Sequence, residues 1–151
     1  MSEKPILRPI APTDLEAVAD LEAKCFSMPW SAKALELLLE PPGYGVVLLW
    51  EGRVVGYGGM LLGPFEGQVT NIAVDPDYRR KGYGRELTRA LLSAARERSL
   101  EEVSLEVRAS NAPAIAMYEA LGFSVAGRRK NFYSAPVEDG LVMLCPLQKD
   151  A

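Results

Sequence analysis

The chain has 151 residues, 48% of them hydrophobic and 25% charged, with a formal net charge of −3. That balance suits one globular domain over residues 1–151 with a sizeable core, and the acidic charge argues against direct nucleic-acid binding. Histidine is absent, which excludes His-based acid–base catalysis, Ser-His-Asp triads and His-ligated metals.

Residues 5–10 (PILRPI) are extended and carry no signal-peptide core. Thr13, with Glu16 three residues on, predicts a capping box and a helix start. Leu15, Val18, Ala19, Glu22, Cys25 and Phe26 then follow helical spacing, with Glu22 the one polar break. Ser31 can cap a second helix running to Glu40, with Trp30 and Leu35 as its hydrophobic staple. Three β-like segments follow, about 44–51, 53–63 and 67–74, and the tight Glu51-Gly52 turn suggests antiparallel hairpins. A helix after Gly84 carries Leu87, Ala90, Leu91, Ala94 and Ala95 on one stripe. Next come a strand over Val103–Val107, a helix over about 112–121 ended by Gly122, and strands at about 124–133 and 140–147. The predicted fold is mixed α/β, a largely antiparallel central sheet of about seven strands flanked by about four helices. The crossover through the Gly84 helix makes one strand pair parallel. No apolar run approaches the roughly 20 residues needed to span a bilayer. Cys25 and Cys145 lie far apart, as reduced thiols of a cytoplasmic protein would.

The segment Asn71 to Arg85, NIAVDPDYRRKGYGR, runs from an apolar strand end into three cations, two glycines and the helix. A glycine turn at a helix N-terminus is an anion site in outline, because free amides and the helix dipole point there. A nucleotide P-loop requires Lys and Ser or Thr after its last glycine, but Gly84 is followed by Arg85-Glu86. The dinucleotide fingerprint requires a third glycine where Leu87 stands. What remains, Arg79-Arg80-Lys81-Gly82-Tyr83-Gly84, resembles the acetyl-coenzyme A loop of the GNAT N-acetyltransferases. The resemblance implies that the backbone around Arg80, Lys81, Gly82, Tyr83, Gly84 and Arg85 holds the pyrophosphate. It also implies that the backbone of Ile72, Ala73 and Val74 holds the pantetheine arm and acetyl carbonyl, with acetyl-CoA as cosubstrate and no metal.

The segment Leu105 to Phe123, LEVRASNAPAIAMYEALGF, resembles the branch of that family that acetylates the N-terminal alanine of a small-subunit ribosomal protein. Cys25–Ser31 (CFSMPWS) and Arg128–Tyr133 (RRKNFY) fit the same branch. By this resemblance Glu106 is the general base and Tyr118 the acid that protonates the departing thiolate. Read from spacing alone, Glu106 faces opposite to Leu105 and Val107 on its strand, as a solvated glutamate would. Tyr118 alone reads as a core aromatic, and Asn111 as a helix N-cap. The resemblance adds a coenzyme hydrogen bond to Asn111 and places Pro29, Trp30 and Tyr133 along the peptide groove. Glu22, Glu66 and Asp75 are further exposed-carboxylate candidates for drawing in a basic N-terminus.

An α-amino group with a pKa of about 7.7–8.0 is roughly one-tenth neutral at pH 7, whereas a lysine near about 10.4 is neutral about once in a few thousand. A protein N-terminus therefore asks little of a carboxylate base. The favoured acceptor is the N-terminal alanine amine of a small-subunit ribosomal protein, with no membrane partner. A lysine side chain or small-molecule amine is the alternative acceptor. A coenzyme A-binding partner module without turnover is the alternative of another class.

Overall fold

The structure is a computed structural model and describes residues 4–147. One sheet contains β1 Ile6–Pro9, β2 Gly43–Trp50, β3 Arg53–Leu62, β4 Glu66–Val74, β5 Glu102–Arg108, β6 Ser124–Ser134 and β7 Val137–Pro146. The helices are α1 Leu15–Cys25, α2 Ala32–Leu35, α3 Tyr83–Glu97 and α4 Ala112–Ala120. Strand order is β1-β2-β3-β4-β5-β7-β6, and only the β4–β5 pair is parallel. The mixed, largely antiparallel α/β sheet and its parallel step across α3 are as the sequence predicts.

Two helix details differ. The Thr13–Glu16 capping box does not form. Asp14 takes its place, its carboxylate accepting from Ala11 N at 2.8 Å and from Arg8 Nη1 at 2.7 Å, at the end of a 3-10 turn over Pro12–Asp14. A charge-assisted pair with arginine favours this carboxylate over the Thr13 hydroxyl. The second helix is α-helical only to Leu35 and continues as a 3-10 turn over Glu36–Leu39. The three-residue repeat of that turn sets Leu35 and Leu38 on one face, and both are buried. Ser31 caps α2 as predicted, accepting from Ala34 N at 3.1 Å, and Trp30 packs in the same cluster as Leu35.

The core has two layers, one on each side of the sheet. Val18, Leu21, Leu35, Leu38 and Val47 fill the layer under α1 and α2. Leu87, Leu91, Ala95, Leu105 and Met143 fill the layer under α3 and α4. α3 sits close to β3 because β3 lacks side chains there: a Cβ on Gly58 would stand 3.1 Å from Leu91 Cδ1. Burial of each such leucine contributes about 1.5–3 kcal/mol relative to exposure.

The sheet divides at its parallel step. β4 pairs β5 only through Glu66–Glu102, Gly67–Val103 and Gln68–Ser104. β4 then continues along β3 to Val74, and β5 along β7 to Arg108. A bulge begins where the strands part. The register jumps from Met60–Val69 to Gly59–Asn71, leaving Thr70 unopposed. A bulge bends its strand and increases the local twist, which carries β4 away from β5.

Candidate active site

The parting strands open a cleft of about 540 Å³. Thr70, Asn71 and Ile72 of β4 line one wall, and Leu105 to Arg108 of β5 line the other. α4 contributes Tyr118, with Asn111 just before the helix. The opposite end is closed by the α1–α2 loop and the β6–β7 hairpin, which touch. Ser27 Oγ donates to the Ala135 carbonyl, and Ser134 Oγ lies 3.0 Å from Met28 Sδ.

Glu106 projects into this cleft while Leu105 and Val107 are buried, as strand alternation requires. Its side chain is 18% exposed, and Oε1 lies 3.5 Å from Arg129 Nε. Tyr118 also faces the cleft, its ring edge-on to Phe123 at 5.6 Å. Burial, with a lesser push from Tyr133, moves the Tyr118 phenol up to about 12. Its proton is therefore held across the neutral and moderately alkaline range. Tyr133 lines the same space, and its phenol is raised by burial and by the nearby Glu106 carboxylate. Arg108 lies over the Tyr133 ring at 4.4 Å, donates to the Pro136 carbonyl at 2.9 Å and pairs with Glu138 at 3.3 Å. One arginine thus ties the end of β5 to the hairpin.

The glycine turn lies at the α4 end of the cleft, where Met117 and Val74 border Gly84. Gly82 caps α3 with φ 81, a conformation that favours glycine. Arg80 also adopts a left-handed φ of 65. The first backbone bond of α3 runs from Glu86 N to Gly82 O, so the amides of Tyr83, Gly84 and Arg85 have no partner within the helix. Arg80, Lys81 and Arg85 are exposed, and none of them joins an ion pair among the described residues. A Cβ on Gly84 would meet Met117 Cε at 3.7 Å and Val74 Cγ2 at 3.9 Å, ordinary contacts. The turn fits a phosphate: donors and cations converge on it, and chain packing does not itself require the second glycine.

Not every predicted residue faces the cleft. Ile72, Asn111, Trp30 and Tyr133 line it. Pro29 is exposed and stands outside the wall formed by its neighbours Met28 and Trp30. Ala73 packs under α1, and Val74 packs on the α3 side. Tyr83 is buried in the α3 core, leaving its amide as the group at the turn. Asn111 Oδ1 accepts from Ala114 N at 3.3 Å, the N-cap geometry. Two of the supposedly exposed carboxylates are buried. Asp75 is 4% exposed, holds Asp77 N at 2.9 Å and pairs with Lys24 at 3.2 Å; Glu22 is 0% exposed. Glu66 is exposed as expected. Among the described residues no His, Cys, Asp or Glu cluster is placed to hold a metal, and no helix is long and apolar enough to cross a membrane.

A sequence model of the acetyltransferase (GNAT) family matches residues 15–123. The chain belongs to the GNAT acetyltransferase family. It is 37% identical over 137 residues to the [ribosomal protein bS18]-alanine N-acetyltransferase of Escherichia coli strain K12, covering 89% of this chain and 93% of that one. It is 39% identical to the N-alpha-acetyltransferase RimI of Mycobacterium tuberculosis strain H37Rv, covering 86% and 85%. The crystal structure of the ribosomal-protein-S18-alanine N-acetyltransferase from Escherichia coli superposes with a TM-score of 0.90 at 34% identity, over 98% of this chain and 97% of that one. In GNAT terms the matched span runs from α1 through α4 and includes both the glycine turn and the parting of β4 from β5.

Arg108, Arg129 and the hub role of Glu22 are not predicted from the sequence. Only Glu22 left a signal, as a carboxylate inside the apolar stripe of α1.

Proposed function

We propose that this chain, as one domain over residues 1–151, is an acetyl-CoA-dependent N-terminal acetyltransferase. Its acceptor is the N-terminal alanine amine of a small-subunit ribosomal protein, met in the cytoplasm. The observation that carries this reading is that Glu106 of β5 and Tyr118 of α4 face one cleft, with the glycine turn at its α4 end. The names of the relatives at 37% and 39% identity support the acceptor.

Acetyl-CoA, when bound, supplies an activated thioester. The amides of Tyr83, Gly84 and Arg85, with Arg80 and Lys81, would hold its pyrophosphate beside Gly82. The backbone of Ile72, Ala73 and Val74 would hold the pantetheine arm, and Asn111 its flank. Glu106 accepts the proton of the attacking amine, directly or through one water, as the nitrogen–carbon bond forms. Tyr118 Oη gives its proton to the sulfur as the carbon–sulfur bond breaks. Trp30 and Tyr133 border the acceptor peptide, with Pro29 outside them.

Steady-state assays decide among acceptors. An Ala-starting peptide of ribosomal sequence should exceed an N-blocked lysine peptide and a small-amine panel by at least about 100-fold in kcat/KM. Preference for lysine or a small amine would overturn the acceptor. Coenzyme binding with no thiol release on any amine would overturn the enzyme reading.

A further inference from the structure

Glu22 is the one fully buried carboxylate among the described residues, and the proposed chemistry does not use it. Its Oε1 accepts from Trp30 N at 2.8 Å. Its Oε2 accepts from Tyr57 Oη at 2.6 Å and from Asn71 Nδ2 at 2.9 Å. These donors come from three separate elements. Trp30 belongs to the α1–α2 loop, Tyr57 to β3, and Asn71 to β4 beside the Thr70 bulge. Trp30 and Asn71 both line the cleft; Glu22 lies behind them. Burying a carboxylate this deeply is costly, and three converging donors offset that cost by fixing its geometry.

We propose that Glu22 is a positioning residue for the acceptor side of the cleft. It clamps the α1–α2 loop to the bulged segment of β4 and so sets the width of the opening on the α1 face. The glycine turn opens α3, and Glu22 makes no hydrogen bond to it. The clamp therefore acts on acceptor fit more than on coenzyme binding, which it meets only through the neighbouring Ile72–Val74 segment. This inference rests on the acetyltransferase reading above only in taking that side as the acceptor's.

A polarity swap tests it. Asn71→Asp sets a second carboxylate against Glu22, and like charges at this distance repel. Glu22→Gln combined with Asn71→Asp restores one amide and one carboxylate in exchanged places. For Asn71→Asp the KM of an Ala-starting peptide should rise at least about tenfold, with the KM of acetyl-CoA within about twofold of the parent. The double variant should return the peptide KM to within about threefold of the parent. Hydrogen exchange at the Trp30 amide gives a readout independent of turnover. It should quicken in Asn71→Asp and slow again in the double variant. If Asn71→Asp fails to fold, Tyr57→Phe, which removes a single donor, should show the same exchange change and KM split. An unchanged Trp30 exchange rate, equal rises in both KM values, or a double variant no better than Asn71→Asp would overturn the clamp. Parent protein that acetylates no peptide, with the exchange pattern intact, would instead overturn the acceptor reading.

Discussion

Arg129 Nε lies 3.5 Å from Glu106 Oε1, so the proposed base already faces a cation from β6. The two side chains are 58% and 18% exposed. A pair this open contributes only about 0–1 kcal/mol to stability. Its weight is chemical, because an amine arriving as a cation shares the carboxylate with a guanidinium. Arg129→Gln is expected to lower the peptide KM about threefold, the gain shrinking as salt is added, with a melting temperature within about 2 °C of the parent. Glu106→Gln should lower kcat at least about 100-fold while coenzyme affinity holds. Steady-state kinetics at two ionic strengths, with calorimetry for the coenzyme, measure both.

Tyr118→Phe keeps the ring against Phe123 and removes the proton. It should lower kcat far more than it raises the KM of acetyl-CoA; the reverse pattern would reduce Tyr118 to packing. The same phenol predicts an alkaline effect on stability. Its folded value of about 12 lies above its ordinary value of 10.0, so the folded state keeps the proton longer. Stability is full below about pH 10 and is lost as pH rises toward about 12, by an order of 2–3 kcal/mol. Tyr57, raised by burial and by Glu22, adds in the same direction. Urea unfolding between pH 9 and pH 11.5 should show a shallower fall for Tyr118→Phe.

The two glycines of the turn should separate under substitution. Gly82→Ala forces a side chain into a left-handed residue at φ 81 and should cost about 1–2 kcal/mol of stability. Gly84→Ala meets only ordinary contacts, so stability should hold within about 0.5 kcal/mol. Its methyl stands where a pyrophosphate would approach, and coenzyme affinity should fall at least about tenfold. Thermal melts without ligand and calorimetry with it would distinguish the two; equal loss of stability would contradict the difference.

Acid should act through Asp14 and Asp75. The Arg8 hydrogen bond holds Asp14 below the usual carboxylate range, and the Asp77 amide, then Lys24, does so for Asp75. A lowered folded value means the stabilisation is present above about pH 4 and is lost as pH falls through the folded values. Asp14→Asn with Asp75→Asn should flatten the decline in melting temperature between pH 5 and pH 2.5. An unchanged slope would place the acid sensitivity elsewhere.

The fold was readable because local signals agreed. The Leu87–Ala95 stripe, the Glu51-Gly52 turn and Gly122, which ends α4 at φ 105, each mark an element that forms. The motif marked Tyr118 and Glu106 as a pair, and both line the cleft; strand alternation sent Glu106 away from its buried neighbours. Contacts between distant segments were not. The Arg129–Glu106 pair, the Arg108 tie to Pro136 and the Glu22 hub depend on register after the bulges in β4 and β6. Thr70 does not announce a bulge by residue type, and Asn131, which takes φ 53 within β6, signals only that a left-handed residue is tolerated there. Glu22 was misplaced for a related reason: its three donors lie 8, 35 and 49 residues away, and only their convergence makes burial tolerable.

The three-residue seam between β4 and β5 has a mechanical consequence. On one side β1 to β4 are continuously hydrogen-bonded; on the other, β5, β7 and β6 are. The sheet is two hydrogen-bonded plates joined at one end by this seam, crossed by α3, and tied at the other end where the α1–α2 loop meets the β6–β7 hairpin. Glu106 lies on one plate and Ile72–Val74 on the other, so the ties at the two ends set the distance between them.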